Sequence, residues 1–145
     1  MMPADLHGTV ATRLRSVSQR YTSGRRALVD VLAGARQPLT IPELIAGNRR
    51  IPQSSAYRNL AVLELAGVVH RIVTSGDFAR YELDEALTEH HHHLICSSCG
   101  GVEDFTAPAS LERTLRKVTS ELADTSGFLA EAHRLDLVGV CAGCR

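Results

Sequence analysis

The sequence predicts an α+β chain: an N-terminal winged helix-turn-helix domain over residues 1–83, a linker or hinge over 84–89, and a C-terminal α/β domain over 90–145 with a four-cysteine zinc site. Three observations carry this. Helical periodicities with their own start and stop residues occupy the first part and give way to two extended runs. Charge changes sign between the halves. Two Cys-x-x-Cys clips, Cys96 with Cys99 and Cys141 with Cys144, enclose most of the second part.

Taken in order, a weakly amphipathic stretch runs from Leu14 through Val17, and Ser23 can cap a helix that carries Ala27, Leu28, Val31 and Leu32 on one face before Gly34 stops it. Thr40 followed by Pro42 and Glu43 reads as an N-cap with proline in the first turn, opening a short helix Pro42 to Ala46 that ends at Gly47-Asn48. Pro52 interrupts the chain, and Ser54 or Ser55 can cap the next helix, with Leu60, Leu63 and Ala66 on its inner side and Gly67 at its end. Val69 to Val73 and Ala79 to Leu83 are extended, with a Ser75-Gly76-Asp77 turn between them. A hairpin after helix-turn-helix is a wing. Asp84 to Glu89 is acidic and aperiodic, hence the linker. The second domain then offers a strand near His91 to Cys96, a strand Val102 to Phe105, a helix with Leu111, Leu115, Val118 and Leu122 on one side, and an alternating stretch from Ala132 to Leu137.

The formal net charge is zero, yet residues 1–80 hold 11 Arg against 5 acids while residues 81–145 hold 5 Lys and Arg against 11 acids. A basic half can meet phosphate and an acidic half can hold divalent cations. From the basic half Arg13, Arg15, Arg25, Arg26, Arg49 and Arg50 are candidate phosphate contacts. No apolar run approaches the roughly 20 residues that span a bilayer, and residues 1–20 offer no secretory core, so a cytoplasmic protein is expected. In a reducing compartment the four cysteines are expected to be metal ligands or reactive thiols in preference to disulfides. Two such clips suit tetrahedral zinc held by Cys96, Cys99, Cys141 and Cys144, which staples the end of the chain to its middle.

His90-His91-His92-His93 runs into Leu94-Ile95-Cys96. On an extended strand alternate side chains face opposite ways, so His91 and His93 share one side and His90 and His92 the other. Imidazoles prefer borderline metals such as zinc, nickel or iron(II). His70, Glu82 and Asp84 are the candidates to complete a regulatory site with His91 and His93, fixing the angle between domains. His133, with Glu112 or Asp104, is the candidate partner for a third site at His90 and His92.

These residues resemble the ferric uptake regulator family over nearly the whole chain. Ser54-Ser55-Ala56-Tyr57-Arg58-Asn59-Leu60 is similar to its recognition-helix motif, Tyr81-Glu82-Leu83 to its wing end, His90 through Gly100 to its H-x-H-x-x-C-x-x-C hallmark, and Cys141 to Cys144 to its closing clip. The resemblance implies that the C-terminal domain dimerises and that the chain is a homodimeric repressor, binding double-stranded operator DNA when its co-repressor metal is present. It also implies DNA contacts by Tyr57 and Arg58, within a surface that takes in Ser54, Ser55, Arg25, Arg49 and Arg50. Iron, manganese, nickel and peroxide sensors of the family usually carry a histidine in the loop that here reads Arg36-Gln37-Pro38-Leu39. Members resembling zinc uptake regulators lack it and draw a ligand from the first wing strand, where His70 stands, so zinc is the expected co-repressor and iron(II), nickel or manganese the alternatives. Many of those members also use a cysteine just before the linker, where this chain has Glu82 or Asp84.

Two other classes compete. A zinc hydrolase would use His91, His93 and a carboxylate with an open position for water, but at 4% aromatic residues there is little to line a substrate pocket. A metal-storage protein would leave the basic half without a purpose. A regulator is expected, not an enzyme, with no membrane and no small organic substrate as partner.

Overall fold

The computed structural model describes residues 5–74 and 79–145, so the expected Ser75-Gly76-Asp77 turn lies outside the described residues. Helix α1, Leu6–Ser16, exceeds the short stretch the periodicity predicted. The Asp5 carboxylate accepts from Gly8 N–H at 2.8 Å and starts the helix. Leu6, Val10 and Leu14, spaced by four, then bury one face.

Helix α2, Ser23–Gly34, is capped by Thr22 and not by Ser23, which already sits inside the first turn. Strand β1, Leu39–Thr40, leads directly into α3, Ile41–Gly47, where Thr40 and Glu43 form a reciprocal capping box behind Pro42. Helix α4, Gln53–Leu65, corrects the expected serine caps: the extended backbone of Pro52 begins it, no side chain caps it, and Ser55 Oγ donates back to the Pro52 carbonyl at 3.0 Å. Strands β2, Val69–Ile72, and β3, Arg80–Leu83, pair antiparallel, and β1 joins the other edge of β3.

The apolar faces of α1 to α4 and of this sheet converge on one core. Val10, Leu14, Leu28, Val29, Leu44, Leu60, Leu63, Val68 and Val69 are each 0% exposed within it. The expected linker is not free of this core. Asp84 caps a 3-10 turn, Glu85–Leu87, whose Leu87 is also 0% exposed in the same cluster.

The second part is built differently. Strand β4, His92–Cys96, lies between antiparallel β5, Val102–Phe105, and parallel β6, Asp136–Gly139. Helix α5, Ala109–Ser126, ends at Gly127, whose φ of 70° is the left-handed stop that glycine favours. The alternating stretch foreseen from Ala132 enters the sheet only at its end. Among the described residues from 88 onward, Cys96, Val102 and Ala107 are the only buried apolar side chains. No helix among the described residues is long and apolar enough to cross a membrane.

Candidate metal centres

Among the described residues the fold gathers the metal-binding residue types into three groups, in each of which the ligand atoms lie within 4.8 Å of one another. The first is Cys96, Cys99, Cys141 and Cys144. The knuckle Cys96–Gly100 closes through Gly100 N–H to the Cys96 carbonyl at 2.9 Å, with Gly100 at φ 72°. Ser97 N–H to Gly139 O, at 2.7 Å, brings the second clip alongside. Cys99 Sγ and Cys141 Sγ stand 3.9 Å apart. Four thiolates around zinc at about 2.3 Å are separated by about 3.8 Å, so the set fits a tetrahedral ion. Backbone N–H groups of Cys141 and Cys99, at 3.3 and 3.5 Å, pull the Cys96 thiol down to about 6. Such a thiol is readily a thiolate, the form that ligates. Cys144 is pushed up to about 12, first by its hydrogen bond with Cys141.

The second group is Glu82, His91, His93 and Asp104. Glu82 Oε2 lies 2.9 Å from His91 Nε2 and 3.1 Å from His93 Nε2. Each ring is aimed from behind. His91 Nδ1–H donates to the Glu89 carbonyl at 2.8 Å and His93 Nδ1–H to the Asp136 carboxylate at 3.3 Å, leaving both Nε2 atoms toward Glu82. Burial pushes the Glu82 carboxyl up, but the hydrogen bonds and charge of the two imidazoles outweigh it and hold it at about 2. The same contact with Glu82 lifts His91 to about 9 and raises His93. Two carboxylates beside two basic imidazoles can exchange shared protons for a cation.

The third group is His90, His92, Glu112 and His133. Glu112 sits in the first turn of α5 and meets His92 Nε2 at 2.5 Å, His90 Nε2 at 3.1 Å and His133 Nε2 at 3.0 Å. His92 is 1% exposed. His90 Nδ1 also contacts Glu85 in the 3-10 turn.

The alternation of the histidines is therefore present as expected, while three candidate ligands move. Asp104 faces His91 and His93, not His90 and His92, because β5 pairs it directly opposite His93, and opposed residues share a face. Asp84 is taken up as the cap of the 3-10 turn, accepting from Ala86 N–H at 3.1 Å and from Arg13 at 2.9 Å. His70 Nε2 meets Asp84 Oδ2 at 2.6 Å. Both line a cavity of about 270 Å³ shared with Glu82, His91 and His93, but neither joins the second group. Gln37 lines a different cavity, of about 510 Å³, beside the cysteines.

On the basic half, Ser54, Tyr57 and Arg58 are exposed on the side of α4 opposite Ala56, Leu60 and Leu63, and Arg49 and Arg50 are exposed before it. Ser55 is half-buried. Arg25 is committed to Asn59 Oδ1 at 3.1 Å and to the Arg20 carbonyl at 2.7 Å. Arg13 is withdrawn from the phosphate candidates by its bonds to Asp84 and to the Gly67 carbonyl.

Comparison with known proteins agrees with this architecture. The chain is 36% identical over 102 residues to the ferric uptake regulation protein of Bordetella parapertussis, covering 70% of this chain and 68% of that one. It is 29% identical over 135 residues to the peroxide operon regulator of Bacillus subtilis, covering 90% and 88%. Its fold superposes on the ferric uptake regulator of Helicobacter pylori with a TM-score of 0.73 at 24% identity, covering 97% of this chain and 91% of that one. A zinc-bound manganese uptake regulator superposes with a TM-score of 0.61 at 29% identity, covering 92% and 97%. With residues 16–138 matching the model of the ferric uptake regulator family, the chain belongs to that family of metal-dependent transcriptional regulators, which are not enzymes.

Proposed function

We propose that this chain is a homodimeric repressor that grips operator DNA when a divalent ion, zinc by preference, occupies the Glu82, His91, His93 and Asp104 group. The observation that carries this reading is the meeting of Glu82, from the sheet of the N-terminal half, with His91 and His93 of the C-terminal half at 2.9 and 3.1 Å. When bound, a divalent ion supplies the charge that lets two carboxylates and two neutral imidazoles share one centre. Glu82 then anchors β3 against β4, and through β3 the helices packed on its sheet. Occupancy thereby biases the angle between a DNA-reading unit, residues 1–83, and a dimerising unit, residues 90–145, across the hinge at 84–89.

Reading would fall to α4, whose outward Tyr57 and Arg58 suit base edges and phosphate, with Ser54, Ser55, Arg49 and Arg50 beside them and Arg25 bracing Asn59. The four cysteines would hold a structural zinc. His90, His92, Glu112 and His133 would form a further zinc site, since three imidazoles with one carboxylate suit that ion. The dimer would cover exposed apolar side chains of α5, Leu111, Val118 and Leu122 at 36 to 44% exposure, and Leu137, Val138 and Val140 in and after β6. Zinc as co-repressor is supported by Gln37 in place of a loop histidine and by the higher affinity of mixed nitrogen and oxygen sites for zinc than for iron(II) or manganese(II).

One observation favours a second reading, in which iron(II) or manganese(II) is sensed: the group holds two carboxylates, and His70 lies outside it. The deciding experiment is fluorescence anisotropy of duplexes from the gene's own upstream region, titrated with buffered zinc, iron(II), nickel(II) and manganese(II). The proposal expects zinc to switch binding on at the lowest free concentration. Another ion winning would replace the metal, and no binding with any ion would overturn the repressor.

A further inference from the structure

Strand β3 touches the C-terminal half through more than Glu82. Its burial alternates: Tyr81 and Leu83 face the core, so Arg80 and Glu82, two apart, leave by the other face. Arg80 is largely sheltered, its side chain 15% exposed. Its Nε–H donates to the Gly100 carbonyl at 3.1 Å. Its Nη1 donates to Glu43 Oε2 at 3.3 Å and toward the Pro38 carbonyl at 3.4 Å. Glu43 Oε2 also accepts from Thr40 N–H at 2.8 Å as the capping carboxylate of α3, and Thr40 is the register partner of Arg80.

One guanidinium therefore joins the start of α3, strand β3 and the closing glycine of the first cysteine knuckle. A planar fork with several fixed donors bridges in this way; an ammonium is a compact point charge without that fixed geometry. None of these contacts uses an atom of the Glu82 group. The Gly100 carbonyl belongs to a knuckle closed by its own backbone hydrogen bond to Cys96, so the anchor stands whether or not Glu82 has its ion.

We propose that Arg80 is a positioning residue: by tying β3 to Gly100 of the cysteine knuckle it holds Glu82 over His91 and His93 before the regulatory ion arrives. The proposal rests on the reading of Glu82, His91 and His93 as that ion's site. Without Arg80 the ion must also order the two halves, and its affinity falls by the fraction of time β3 is correctly docked. Losing one charged hydrogen-bond anchor predicts a loss of about tenfold.

The test uses the full chain loaded with zinc at the cysteines, titrated with cobalt(II) and followed by visible absorption. Glu82→Ala identifies the band that depends on Glu82. The expected result is that Arg80→Ala shifts the midpoint of this band about tenfold to higher cobalt(II), leaves its wavelength and intensity unchanged, and keeps the cysteine-bound zinc. Arg80→Lys should recover part of the shift and no more. An Arg80→Ala midpoint equal to wild type, while Glu82→Ala loses the band, overturns the role of Arg80 and leaves the regulatory site standing. Cobalt(II) bands unchanged in both variants overturn the two together. Loss of cysteine-bound zinc in Arg80→Ala and Arg80→Lys alike also overturns the proposal, because Arg80 would then build the knuckle instead of positioning β3.

Discussion

The two halves of this chain keep their shape by different physics. From Leu6 to Leu87 a single apolar cluster joins α1 to α4, the first sheet and the 3-10 turn. Beyond it, within a single chain, β4 to β6 and α5 enclose little apolar side chain, and the most buried large groups are His92 and His93, at 1% and 6% exposure. Burial of apolar surface, at about 25 cal/mol per Å², organises the first half with no cofactor. The second half has polar ligands where a core would be. Without ions these ligands satisfy one another as imidazole and carboxylate pairs; on the proposed function, ions and a second copy would make them the cross-links of this half. The difference separates stability from response, because a centre that carries much of its domain's organisation is also one that the ion's concentration can control.

This contrast can be broken most severely at the cysteines. Cys99→Ser, or extraction of the ion, should remove on the order of 10 kcal/mol from the C-terminal half and leave the N-terminal helices folded. Hydrogen exchange should then show lost protection from β4 onward and retained protection in α2 and α4, with a monomer on sizing. A dimer with β4 still protected would contradict the assignment. Next in size, Leu60→Ala should cost about 2 to 5 kcal/mol by opening a cavity in the fully buried N-terminal core. Its denaturation midpoint should fall equally with and without added zinc.

Glu82→Ala should leave a folded dimer that has lost the metal-dependent part of its DNA affinity, about 5- to 150-fold if the coupling is of ordinary size. Measured by anisotropy, a variant that still responds to zinc would remove Glu82 from the mechanism. The smallest effect expected is on pH. In the ion-free chain His91 is raised to about 9 and His93 is raised as well, whereas Glu82, held at about 2, stays charged. The imidazole proton therefore stabilises the ion-free fold fully below the unfolded histidine value of about 6.5, and that contribution is lost as pH rises through about 9. A cation must displace those protons, so affinity at this group should rise with pH from about 6.5 to 9, with release of roughly one to two protons per ion at neutral pH. Calorimetry in buffers of different ionisation enthalpy measures that number.

Much of this was legible in the sequence because it rests on local rules. Thr40 and Pro42 announced the capped start of α3, the two Cys-x-x-Cys clips announced a closed site, and strict alternation divided His91 and His93 from His90 and His92. Four features escaped, because they depend on register, on competition, on a distant partner or on a thin apolar face. Asp104 belongs with His93 through a cross-strand pairing that no single-chain periodicity displays. Asp84 was as plausible a ligand as Glu82 until Arg13, distant in sequence, claimed it. Helix α1 was hidden because Gly8, Thr9 and Thr12 dilute an apolar face of only three residues. Arg80, one cation in a basic half, carried no local signal for its partner at Gly100.

Operator affinity, measured with and without buffered free zinc for the wild-type chain beside Glu82→Ala, both with the cysteine zinc retained, decides whether Glu82 closes the regulatory centre. Added zinc should tighten wild-type binding at least fivefold and leave the variant unchanged. Equal tightening in both would contradict a regulatory centre closed by Glu82 across the two halves.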